Sequence, residues 1–68
     1  MSSMKDSFAE QLRKQYGTSL LNKTNASKEI SVSRATIDRM RQEGQIKSKL
    51  VGKQIRFHVN EIARVVMS

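Results

Sequence analysis

The chain has 68 residues, 13 Lys and Arg against 6 Asp and Glu, and no cysteine. A core of that size leaves little margin against chain entropy, which argues for one domain without an enclosed substrate cavity, and the absence of Cys excludes disulfides and thiolate metal sites, zinc fingers included. A formal net charge of +7 favours a polyanionic partner, nucleic acid first and an acidic membrane surface second.

No apolar run approaches the ~20 residues that cross a bilayer, and Lys5, Asp6 and Glu10 stand where a signal peptide has its apolar centre. The expectation is a cytoplasmic protein without a membrane partner. Charge is uneven, with ten basic and four acidic residues over positions 23–68. Within residues 45–57 lie Lys47, Lys49, Lys53 and Arg56 and no acid, so the densest positive field sits on one short segment.

Ser7 and Glu10 have the Ser-x-x-Glu spacing of a capping box, Phe8, Leu12 and Tyr16 recur every four residues, and Gly17 offers a stop. A first helix over residues 7–16 follows, with residues 1–4 frayed. Its narrow apolar stripe is suited to docking, either on the body as a stabilising extension or on a partner. Asn22 is placed to cap a short helix over residues 23–30, with Leu21 and Ala26 at the two staple positions and Ala26 and Ile30 turned inward.

Ser31 and Val32 turn the chain, Ser33 caps the next helix, and Gly44 ends it in the left-handed region, which bounds a helix over residues 34–43. Residues 27–44 thus have the layout of the turn and second helix of a helix-turn-helix. Ile37, Met40 and the stem of Arg41 face the core, while Ala35, Asp38, Arg39 and Gln42 gather on the opposite side with Arg34 nearby. Beyond Gly44 the period changes to two: Ile46 and Leu50 alternate with Lys47 and Lys49, and Ile55, Phe57 and Val59 with Arg56 and His58. Gly52 and Lys53 form a two-residue loop between these strands, and Lys53 stands at its tip. Asn60 and Glu61 open a last helix whose Ile62, Val65 and Val66 seal the core.

The segment from Val32 to Ile37, Glu43-Gly44-Gln45-Ile46 after it, and the run from Val51 to Phe57 resemble the winged helix-turn-helix of the phage and plasmid excisionase family, within the wider MerR-like group. The resemblance spans residues 20–66, about two-thirds of the chain. It implies a mainly α fold with a small β-hairpin, ordered α-α-β-β-α as residues 20–68, behind an N-terminal helical extension over residues 1–19. It further implies a recognition helix in the major groove and a wing over the neighbouring backbone or minor groove. Where family members commonly carry acidic residues early in the first helix of the motif and Gly in the turn, this chain has Lys23, Thr24, Asn25 and Ser31.

By position, Ser33, Arg34, Ala35, Thr36, Asp38, Arg39 and Gln42 form the DNA-facing side of the recognition helix, with Arg39 reaching a guanine edge. Lys47, Lys49, Lys53 and Arg56 track phosphates from the wing, or Lys53 or Arg56 enters a narrow minor groove, and Lys23 and Lys28 add weaker contacts. Asp38 either accepts from a cytosine amino group or orients Arg34 or Arg41 by a helix-spaced pair. Simpler readings exist too: Arg39 and Arg41 complement a helix dipole, and the hairpin lysines guard a sheet edge. His58 has no metal-ligand cluster around it and reads as a surface or strand residue. No nucleophile elbow is present, so neither enzyme activity, a cofactor nor a metal is expected. The implied partner is double-stranded DNA, in association with the nucleoid, with a second copy on adjacent repeats and an integrase or RNA polymerase as protein partners. Recombination directionality, transcriptional regulation of a mobile element, and a protein-interaction adaptor using Phe8, Leu12 and Tyr16 are the three functional classes.

Overall fold

The computed structural model describes residues 4–67 and contains, in order, α1 (Met4–Tyr16), β1 (Leu20–Asn22), α2 (Lys23–Ile30), α3 (Arg34–Gln42), β2 (Lys49–Val51), β3 (Gln54–His58) and α4 (Val59–Met67). The mainly α chain with a small hairpin forms as expected, with one addition: the sheet has three antiparallel strands in the order β1-β3-β2. Leu20, Leu21 and Asn22 lie opposite His58, Phe57 and Arg56. Three residues are too few for alternation to show, so β1 has no periodic signal of its own. Its place comes from the pairing of two buried side chains, Leu21 and Phe57.

Helix α1 begins at Met4, so Ser7 lies within it and does not cap it; Glu10 pairs forward with Arg13 instead of reaching back. Met4 is helical, and the remainder of the expected fray lies outside the described residues. Ala9 and Leu12 are buried and Phe8 and Tyr16 partly so, packed in the same core as Leu21, Ala26, Ile37, Ile46, Phe57, Val59, Ile62 and Ala63. The stripe is therefore spent on the chain's own body, chiefly α4, and Leu12 offers no surface to an outside partner. The Tyr16 hydroxyl donates to Glu29 Oε2 at 2.5 Å and ties α1 to α2 as well.

The two central helices end as their sequences dictate. Asn22 Oδ1 accepts from the Asn25 amide at 2.8 Å and Ser33 Oγ from the Thr36 amide at 3.1 Å, each satisfying a free N–H of the helix that follows. Helix α2 closes with Ser31 in the left-handed region, φ 66° and ψ 42°, where its amide reaches the Lys28 carbonyl and that of Val32 the Ser27 carbonyl. Gly44, at φ +79°, makes the same closure on α3: its amide bonds to Arg41 O and that of Gln45 to Met40 O. Helix α3 thus stops at Gln42, with Glu43 as its capping residue.

The hairpin departs from the expected bounds for a physical reason. Ile46, placed in a strand by the alternation, is buried in the loop before β2, and this loop is held by α4. Glu61 Oε1 accepts from the Lys47 amide at 3.0 Å, and Arg64 Nη2 donates to the Gln45 carbonyl at 2.9 Å. Backbone groups taken by α4 cannot enter a ladder, so β2 starts only at Lys49. Gly52 alone has positive φ in the Gly52-Lys53 loop, +62°, as a type II′ hairpin turn requires. At the far end, His58 Nδ1 accepts from the Asn60 amide at 3.0 Å, so the histidine caps α4 and the helix begins at Val59, before the expected Asn60. Val66 is 40% exposed, and the wholly buried Ala63, one turn on from Val59, takes the inward place with Ile62.

Two predictions follow from these joints. Ser31→Gly should stabilise the fold by at most about 1 kcal/mol, because relief of the left-handed conformation outweighs the extra freedom gained by the unfolded chain; Ser31→Val should destabilise it. Thermal melts followed by circular dichroism would register both shifts. The contact with Glu29 pushes the phenol of Tyr16 up to about 12. Its folded value lies above the unfolded one, so the associated stability is present below pH ~10 and is lost as pH rises through about 12. Tyr16 is the only tyrosine, so tyrosinate absorbance reads it directly. Glu29→Gln should return the midpoint towards 10.

Candidate nucleic-acid interface

Helix α3 turns Ile37 fully inward, with Met40 and Arg41 partly buried, and leaves Arg34, Ala35, Arg39 and Gln42 exposed. Ser33 is exposed at its start; Thr36 lies at the margin and accepts a hydrogen bond from the Ser33 hydroxyl on its own Oγ1 at 2.9 Å. Both residues are thus committed to the cap. Asp38 Oδ1 accepts from Arg41 Nη2 at 2.8 Å and from Lys23 Nζ at 3.1 Å. Of the two roles open to Asp38, the structure contains the orienting one, directed to Arg41 and to Lys23 of α2. First Arg41 and then Lys23 hold its carboxyl below the ordinary carboxylate range. Arg39 and Arg41, two residues apart, have different fates: Arg41 is spent within the protein and Arg39 is free in solvent.

On the hairpin, Lys49 and Arg56 are direct cross-strand partners. Like charges placed opposite one another destabilise a sheet, so this pair costs the hairpin some stability. Arg56 is steadied by Gln54, whose Oε1 accepts from its Nη2 at 2.8 Å. Lys53 stands exposed at the tip, and Lys47 is exposed in the loop pinned by Glu61. A cleft lined by Lys23, Thr24, Arg34, Lys53 and Ile55 joins the start of α2, the start of α3 and the hairpin tip. Arg34 of α3 and Lys53 of the hairpin, far apart in sequence, therefore meet at one cleft, while Lys47 and Lys49 border a second depression with His58, Asn60 and Glu61. Lys28 is exposed on α2.

The acids are engaged by partners within the protein. Glu10 is held by Arg13, Glu29 by Tyr16, Asp38 by Arg41 and Lys23, and Glu61 by Arg64, while Glu43 accepts from Gln45. Among the described residues, Lys28, Arg34, Arg39, Lys47, Lys49 and Lys53 have no ion-pair partner. The Lys23–Asp38 contact spans fifteen residues and left no sequence signal, whereas Asp38–Arg41 was visible as a helix-spaced pair. The described residues contain no cluster of His, Cys, Asp and Glu suited to a metal ion, and no helix long and apolar enough to cross a membrane. Comparison of the chain with protein families, curated proteins and solved structures returns no match.

Because the folded pKa of Asp38 is depressed, the stability it supplies is present above pH ~4 and is lost as pH falls through the folded value. The stability gap between the native chain and Asp38→Asn should accordingly be widest near neutrality and close in acid. Urea titrations of both proteins at a series of pH values measure it, and a gap independent of pH would remove the ion pairs from the account.

Proposed function

We propose that the chain is a sequence-specific binder of double-stranded DNA, in which α2 and α3 form a helix-turn-helix, α3 is the recognition helix and the β2–β3 hairpin is a wing. One observation carries the reading: Arg34 of α3 and Lys53 of the hairpin tip line one cleft with Lys23, and Arg39, Lys47 and Lys49 are exposed without an ion-pair partner while the acids are engaged within the protein. Dipole complementation is worth only about 0.3–1 kcal/mol for a helix-terminal cation and does not explain the hairpin. Edge protection explains lysines on β2 but not an arginine opposite Lys49 on the central strand. A duplex accounts for both groups, with Arg39 and Gln42 at base edges and Arg34, Lys47, Lys49, Lys53 and Arg56 at phosphates.

The finer proposal is an excisionase-like architectural role in a mobile element. One short recognition helix reads few base pairs, so useful specificity needs several copies on adjacent repeats, which also bends the DNA. A transcriptional regulator built on the same head needs only to occupy a promoter. Circular-permutation bending with footprinting separates them: extended, phased footprints on bent DNA support the architectural role, and one short footprint on straight promoter DNA supports the regulator.

Binding itself is tested by titrating fluorescent duplexes across salt. With ~5 phosphates neutralised, log affinity should fall against log salt with a slope near −4 to −5. A flat response, or equal affinity for every duplex, would end the reading. Arg39→Ala should cost about 1–3 kcal/mol on the preferred site and relax one base position, whereas Lys49→Ala should weaken all sequences alike and lower the slope by about one.

A further inference from the structure

Leu50 is 70% and Val51 46% exposed. The other large apolar side chains exposed among the described residues, Met4, Val66 and Met67, sit at helix ends, whereas these two lie in the middle of the most cationic segment of the chain. Their orientation follows from the register. Leu50 pairs with Ile55, and strand alternation puts Ile55 on the same face of the sheet as Phe57, itself opposite Leu21. That face is wholly buried at Phe57 and open at Leu50, so the hairpin overhangs the body and carries the core-side face out into solvent. Beneath it runs the cleft lined by Lys23, Arg34, Lys53 and Ile55, and on its reverse face stand Lys49, Arg56 and, by the same alternation, Val51.

An apolar strip framed by cations on both faces narrows the choice of occupant. A second copy docked on this strip would gather Lys49, Lys53 and Arg56 of both copies at one interface, and like charges brought together are destabilising. A duplex minor groove is complementary in both respects: phosphates form its rims, and deoxyribose C–H faces form its walls. We infer that Leu50, backed by Ile55, packs on the deoxyribose walls of the minor groove next to the site occupied by α3. The inference rests on the duplex-binding reading and adds a contact of a different kind, apolar and therefore unscreened by salt.

The test compares Leu50→Gln with Lys49→Ala on a selected duplex over a salt series, with hydroxyl-radical footprints of each, since that reagent cuts at exposed deoxyribose. Both side chains are exposed, so the fold is expected to survive in each variant, which circular dichroism verifies. Leu50→Gln should weaken binding roughly tenfold at every salt concentration with an unchanged slope, and should lose protection of the sugars under the wing. Lys49→Ala should lower the slope and keep that protection. Wild-type affinity and footprint in Leu50→Gln, with Lys49→Ala still weakened, would overturn this contact and leave the duplex reading standing. No duplex binding by the wild type would overturn both. If Leu50→Gln instead lost binding to phosphatidylserine vesicles while its duplex affinity was unchanged, the strip would belong to an anionic membrane surface and the inference would fall.

Discussion

The structure depends on Phe57. It is fully buried in the central strand, opposite Leu21 on one side, and shares a core with Ile37, Ile46 and Ile62. Because β3 pairs on both edges, the phase of this one side chain sets which residues of the sheet face inward. Arg56 and Lys49 lie on the outer face of the sheet as a consequence, and Ile55 and Leu50 on the face shared with Phe57. The chain then leaves β3 at His58, whose imidazole caps α4, while Asn22 at the end of β1 caps α2. Strand ends and helix starts are thus the same residues, which leaves little freedom between sheet and helices.

The second organising feature is how charge is partitioned. Thirteen cations on so small a body repel one another, and the acids relieve that repulsion selectively. Glu61 is used twice, for Arg64 and for the Lys47 amide, so one carboxylate both pairs a charge and fixes the loop that leads to the hairpin. Asp38 likewise links α2 to α3 through Lys23 while holding Arg41 against the helix. The remaining cations of α3 and the hairpin have no ion-pair partner, at a cost in self-repulsion.

The turn between α2 and α3 shows a local conflict that the fold tolerates. Ser31 occupies a left-handed conformation costing about 1–2 kcal/mol for a residue with a side chain. The two hydrogen bonds that close α2 and the cap supplied by Ser33 hold it there. A sharp change of direction within three residues is what allows α3 to project Arg34, Arg39 and Gln42 away from the body.

From the sequence alone, the second to fourth helices, their caps at Asn22, Ser33 and Gly44, the hairpin turn at Gly52 and the division of α3 into an inward and an outward side were legible, because each rests on interactions within a few residues of chain. The fold's third strand, the loop position of Ile46, the choice of α4 as the surface that buries Leu12 and the pairing of Lys23 with Asp38 were not. Each of these is decided between segments far apart in sequence, by which apolar face closes on which and which backbone group finds its partner first. The Ser7–Glu10 box illustrates the same limit: the motif is present, yet α1 continues through it to Met4 as it packs on α4. Periodicity and capping chemistry are local and can be read from order alone; register, overhang and the meeting of Arg34 and Lys53 at one cleft exist only when the core has closed around Phe57.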